Sequence, residues 1–205
     1  MSVVRLDDVL ASREVWRGQA MPAPTLDPAC PTGLESLDAV LPTHGWPQAL
    51  TELLIPADGV GELHLLWPAL ARLSASEGRI VLVAPPYTPY APAWEAAGVQ
   101  LRMLQVVEAP PIDALWAAEQ CMRSGTCAAV LCWPRTSDDR VLRRLQVASE
   151  TGSTHGFAIR PISAARNPSP AALRIAIEFG NGRQLRVVKC RGGLAPPQPI
   201  AFPWR

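Results

Sequence analysis

Residues 50–70, "LTELLIPADGVGELHLLWPAL", decide the fold of this chain. The run LTELLI has the length and apolar weight of a buried strand. A short turn with Gly59 and Gly61 follows, and from Glu62 onward apolar residues recur at helical spacing. Strand, glycine turn and helix is the order in which nucleotide-binding proteins present backbone N–H groups to phosphate. A working loop also needs a Lys on the outer phosphates and a hydroxyl for Mg²⁺. Those two places hold Glu62 and Leu63, and Lys189 is the sole lysine of the chain. Two unit charges ~4 Å apart interact by about 4 kcal/mol at an effective dielectric of ~20, so turning that attraction into repulsion outweighs amide hydrogen bonds worth ~1 kcal/mol each. The degenerate loop Asp58, Gly59, Gly61, Glu62 and Leu63 is therefore read as a structural turn that holds no cofactor.

Around this unit the pattern alternates. Residues 32–42, "TGLESLDAVLP", predict a helix with Thr32 as cap, Glu35 at capping-box spacing, and Leu34, Leu37 and Leu41 on one face. A helix over 62–77 contains Pro68, which is expected to kink it or start a second segment. "RIVLVAPP" and "CAAVLCWP" are short apolar runs of the kind found in central parallel strands. "APAWEAAGV" predicts a short helix ending at Gly98, "LRMLQVVEAP" a strand, and "DALWAAEQCMRSG" an amphipathic helix. "SDDRVLRRLQVASETG" predicts a helix led by Ser137 and two Asp, and "HGFAIRP" a strand. "AALRIAIEFGNGRQLRVVKCRG" reads as two strands around a GNG turn. The fold class expected is α/β, with a mostly parallel central sheet flanked by helices and a C-terminal β-hairpin. Residues 1–31 are read as an N-terminal helix (3–17) and Pro-rich linker, 32–195 as the domain, and 196–205 as a Pro-rich tail.

Hydrophobic residues make up 48% of the 205 and charged residues 18%, which suits a globular core and excludes a disordered chain. The N-terminus lacks a long apolar run and no stretch approaches ~18 uninterrupted apolar residues, so a soluble intracellular protein with no membrane contact is expected. Five Cys without a CxxC pair and three scattered His give no metal-ligand spacing, and reduced thiols are expected. Charge is split. Residues 1–155 carry 11 Arg against 17 acids, whereas 156–205 carry eight Arg and Lys against Glu178 alone. That balance fits either a basic region meeting an acidic partner or nucleic acid, or a hairpin with a solvated Arg-rich face.

No GxSxG, HExxH or nucleophile–base spacing is present, and the strand "CAAVLCWP" ends in Trp133 and Pro134 where an ATPase places an Asp. Asp138 and Asp139 read as capping residues. No enzyme is expected. Trp46, Trp67, Trp94, Trp116 and Trp133 are expected to pack in the core, while Trp16 and Trp204 lie near the termini and are better interface candidates.

The lead-in "TGLESLDAVLPTHGWPQALTEL" resembles the start of a RecA-like recombinase core. "GELHLL", "VAPPYTPYAPAWEAAGV", "LRRLQVASE" and "RVVKCRGG" are more closely similar to the ImuA family, a degenerate RecA-like branch related to SulA. The likeness spans roughly residues 30–202. In place of the recombinase's catalytic Glu stands Pro85–Pro86–Tyr87, and the DNA-binding loops are shortened to "PRTSD" and "PISAARNPSP". Lys189 and Arg191 resemble lysines that reach a neighbouring subunit's ATP. The resemblance implies a non-catalytic accessory protein of SOS-induced mutagenic translesion synthesis. Its implied partners are ImuB with the error-prone polymerase; docking onto RecA is a further expectation, with filament capping or shortening expected from the N-terminal helix and linker (residues 3–31). It implies a cytoplasmic location, nucleoid-associated when DNA is damaged. The alternative is a SulA-like cell-division inhibitor binding FtsZ. Weak nonspecific DNA contact through Arg140, Arg143 and Arg144 is a third expectation. Partner-binding candidates are Leu6, Leu10, Trp16, Arg183, Arg186, Lys189, Arg191 and Trp204.

Overall fold

The computed structural model describes residues 30–135, 138–180 and 182–202. The expected N-terminal helix, with Leu6, Leu10 and Trp16, lies outside the described residues, as do Ser137 and Trp204. Eight strands form one sheet: β1 (Leu50–Ile55), β2 (Arg79–Val83), β3 (Leu104–Val107), β4 (Cys127–Cys132), β5 (His155–Pro161), β6 (Leu173–Gly180), β7 (Gly182–Cys190) and β8 (Ile200–Ala201). Their spatial order is β3-β2-β4-β5-β1-β6-β7-β8. The six strands from β3 to β6 run parallel, and β7 and β8 add antiparallel at one edge. The helices are α1 (Glu35–Asp38), α2 (Glu62–Ala75), α3 (Ala91–Ala96), α4 (Pro111–Arg123) and α5 (Asp139–Thr151). The α/β fold with its mostly parallel sheet and C-terminal hairpin is as the sequence predicts, and β8 is formed by two residues of the expected tail.

Alternation along the strands divides the core in two, because successive side chains point to opposite faces of a sheet. Ile80 and Leu82 of β2 join Leu53, Leu65, Leu66 and Leu70 on the α2 side. Val81 and Val83 join Met122, Leu142 and Leu145 on the α4/α5 side. Strands buried on both faces read as continuous apolar runs, which is why β2 and β4 are legible.

Local details differ from expectation. α1 has only four residues, and its N-cap is Leu34 with no side-chain cap. The Thr32 N–H donates instead to Asp38 Oδ1 at 2.8 Å, and its hydroxyl accepts from Leu34 N. A one-turn helix leaves no room for a capping box, so the backbone of Thr32 is tied to its C-terminal end. Pro68 does not divide α2, which continues as one element to Ala75. Its ring packs against Gly33, where a Cβ would come within 2.5 Å of Pro68 Cβ and φ is +89°. Only glycine fits there. Trp116 is 60% exposed, contrary to expectation, because α4 turns Ala118 and Met122 to the sheet.

Two residues of the basic C-terminal region are buried. Glu52 of β1, fully buried, accepts from Arg160 Nη1 of β5 at 2.8 Å and from Arg174 Nε of β6 at 2.6 Å. Ser169 Oγ donates to Glu52 Oε1 at 2.9 Å, and Arg174 also donates to the carbonyls of Asn167 and Ala164. The triad ties β5, β1 and β6 together across the middle of the sheet, so these two cations are structural and unavailable to an acidic partner.

Candidate functional site

Ligand sites in open parallel sheets lie beyond the carboxyl ends of the strands, and the phosphate-loop equivalent sits there. β1 ends at Ile55, the chain turns through Pro56–Gly61, and Gly61 (φ 102°) caps α2 in the left-handed conformation. The Gly59 N–H, a turn amide of the kind phosphate loops use, donates to Glu62 Oε1 at 3.0 Å. The carboxylate in the first turn of α2 also lies at the positive end of the helix dipole. The loop has supplied its own anion. Glu62 is 7% exposed, and its second oxygen, Oε2, has no hydrogen-bond partner among the described residues.

Glu62 lines a cavity of about 380 Å³. Its wall carries five aromatic side chains: Trp67 of α2, Tyr87 and Tyr90 from the loop after β2, Trp94 of α3, and Trp133 just beyond β4. Asp58 adds a second carboxylate at the rim, where it accepts from the Tyr87 hydroxyl at 3.3 Å. Trp67 meets Trp94 edge to face at 6.2 Å and lies against His64 at 4.3 Å with the rings tilted by 51°. Burial pulls the His64 imidazole below its ordinary value, and the charge of Arg183 pulls the same way. The cavity wall has no Lys or Arg. The loop bearing Tyr87 and Tyr90 is stiffened by Pro85, Pro86 and Pro89. Ala84, at φ 46°, turns the chain out of β2 into it.

A nucleotide triphosphate does not fit these residues. Its phosphate position is taken by a carboxylate, the metal-binding hydroxyl is Leu63, and the end of β4 offers Trp133. An anionic ligand would meet two carboxylates in a wall with no Lys or Arg among the described residues.

The basic candidates do not converge on this site. Arg183, Arg186 and Lys189 lie on β7, two strands from β1 in the sheet, and Arg191 follows directly. Arg183 stacks over Phe179 and Phe202, at 6.0 and 5.5 Å from the ring centres. Arg186 pairs with Glu178 at 2.9 Å, and Arg191 with Glu150. Lys189 donates to Ser169 O at 2.7 Å, and burial, reinforced by nearby Arg174 and Arg191, lowers its pKa. On α5, Asp138 accepts from Arg140 N as a cap, and Arg144 pairs with Glu119, which also binds Arg123. Arg140 and Arg143 are exposed.

Sequence reasoning found the loop and missed the aromatic cavity. The available signal was position: Tyr87, Tyr90 and Trp133 all follow the C-terminal ends of parallel strands, where side chains from distant segments meet.

A strand–turn–helix loop closed by its own carboxylate defines the class, an α/β protein with a mostly parallel sheet whose loop lacks the lysine and hydroxyl of a nucleotide site. No protein-family model matches the chain. The cell division inhibitor SulA of Pectobacterium atrosepticum is 31% identical over 117 residues, 56% of this chain and 70% of that protein. SulA of Pectobacterium carotovorum is 30% identical over 116 residues, 56% and 69% of the two chains. The chain belongs to the SulA family. The crystal structure of SulA from Pseudomonas aeruginosa aligns with a TM-score of 0.46 at 23% identity, covering 54% of this chain and 97% of that one.

Proposed function

We propose that this chain is a non-catalytic regulator that works by binding protein, and that it inhibits cell division as SulA does, by blocking FtsZ assembly. The observation that carries the reading is the 31% identity extending over 70% of a curated division inhibitor. The carboxylate in the phosphate loop supports it, since a protein that cannot engage nucleotide acts through its surface. The test is light scattering of FtsZ polymerising with GTP while purified protein is added, with and without ATP. Polymerisation suppressed in a dose-dependent and ATP-independent way is the expected result. Unchanged polymerisation at a molar excess of the protein refutes it.

A second reading is an ImuA-type accessory of translesion synthesis that contacts ImuB and RecA in the cytoplasm, with weak DNA contact as a secondary property. Two observations favour it. The stretch matched to SulA is only 56% of this chain. The segment Pro85–Tyr90, quoted above for its resemblance to ImuA, forms one wall of the aromatic cavity. Co-purification with ImuB, together with no effect on FtsZ, selects this reading over the first.

A further inference from the structure

We propose that the aromatic cavity is a receptor for a guanidinium group, the arginine side chain of a partner polypeptide. The inference rests on the protein-binding reading above and not on which partner is bound.

Three observations carry it. First, the charge is one-sided. Asp58 and Glu62 line a wall that holds no Lys or Arg among the described residues, and Glu62 Oε2 has no hydrogen-bond partner among them. That oxygen is itself closed from solvent, so its charge acts on an incoming cation through space, while Asp58 at the rim can accept a charge-assisted hydrogen bond. Second, the remaining wall is aromatic and proline-rich. Ring faces attract cations, and a planar guanidinium stacks on them while losing less hydration than an ammonium. Third, the surroundings suit a chain rather than a free metabolite. Tyr87 and Tyr90 stand 69% and 71% exposed at the rim. Tyr87 also lines a second, apolar hollow of about 690 Å³ that reaches Leu101 and Val106. A polypeptide placing arginine in the first hollow has apolar surface to cover in the second, and the proline-stiffened loop between them is preorganised for it.

The fold has thus inverted the preference of its loop. A site whose geometry favours an anion contains a carboxylate of its own, and the charge that remains uncompensated calls for a cation.

The test uses full-length protein labelled with 5-fluorotryptophan and followed by fluorine NMR, with N-acetyl-arginine methylamide as the probe. Resonances of Trp67 and Trp133 shift saturably and that of Trp116, on α4, does not; a dissociation constant on the order of 1 mM is expected for so small a fragment. Glu62→Gln keeps an acceptor for Gly59 N–H and weakens binding about tenfold or more by removing the charge. Tyr90→Ala, at an exposed position, weakens it about threefold. The uncharged citrulline analogue does not bind, and the lysine analogue binds more weakly. A peptide library with a fixed central arginine yields members that bind at least about tenfold tighter than the capped amino acid. Absence of saturable shifts, equal binding of citrulline, stronger binding of lysine, or no Glu62→Gln effect in a folded variant overturns the proposal. Library members no tighter than the capped amino acid overturn the polypeptide occupant. Saturable probe binding combined with a negative FtsZ result leaves the receptor standing and removes only the division reading.

Discussion

Replacing Glu52 by Ala removes the carboxylate that two buried guanidinium groups share. Arg160 and Arg174 are 3% and 4% exposed, so neither can turn to water without opening the sheet. Breaking a buried ion pair by deleting one partner costs about 3–5 kcal/mol. Here the two cations left behind also repel, which places Glu52→Ala near ~5 kcal/mol, although Arg174 keeps its bonds to Asn167 O and Ala164 O. A domain of this size has a net stability of about 5–15 kcal/mol, so the variant approaches the unfolding threshold. At about 2–4 °C per kcal/mol the melting temperature falls by roughly 10–20 °C. Glu52→Gln, which keeps one acceptor but turns an amide nitrogen toward a cation, loses less, about 3 kcal/mol. The triple replacement Glu52→Leu, Arg160→Met and Arg174→Met removes every charge together and stays within about 2 kcal/mol of the parent. Urea unfolding followed by far-ultraviolet circular dichroism at pH 7 measures all three. A loss below about 1 kcal/mol for Glu52→Ala, or a triple variant less stable than Glu52→Ala, refutes the reasoning.

Further expectations concern single sites. A Cβ at Gly152 would lie 1.9 Å from Met122 O, so Gly152→Ala shifts the α4–α5 contact and costs about 1–3 kcal/mol in urea unfolding. Trp116→Ser, at an exposed position, stays within about 0.5 kcal/mol of the parent, whereas Trp94→Ala, 2% exposed, loses about 3–5 kcal/mol. Burial lowers the His155 pKa below its ordinary 6.5, partly opposed by its bond to Pro47 O. A base kept neutral when folded but free to protonate when unfolded contributes stability above pH 6.5 that is lost as pH falls toward the folded value. The loss of stability on acidification from neutrality is therefore smaller in His155→Gln than in the parent, measured by urea midpoints across that range. Mg²⁺–ATP leaves the melting temperature unchanged, since a ligand that does not bind the folded state does not stabilise it.

What the sequence discloses depends on how local the cause is. The β1–loop–α2 unit is legible because strand, turn and helix are contiguous, and the substitution of Glu62 for lysine speaks through charge alone. The role of that carboxylate is less local: it bends back three residues to Gly59, a hydrogen bond and not a composition. Arg174 looks like one more cation in a basic region until register places it directly opposite Glu52 on the neighbouring strand. Register is a long-range quantity, invisible in a list of charges. Trp116 misleads for a related reason. With Ile112 it forms an outward apolar pair on α4, and both faces of that helix carry enough apolar residues to look like the inner one. The cavity needed the most distant information, since Glu62, Tyr87 and Trp133 meet only because three strand ends align.

The bond between Gly59 and Glu62 also bears on timing. Nucleotide-driven relatives of such a scaffold count time by hydrolysis, binding in one state and releasing in the next. A loop latched by its own side chain has no such clock. On the protein-binding reading proposed above, its encounter with a partner begins when the chain is present and ends by dissociation or by removal of the chain. Dose and lifetime, set by synthesis and proteolysis, then become the variables through which a cell can start and stop its action.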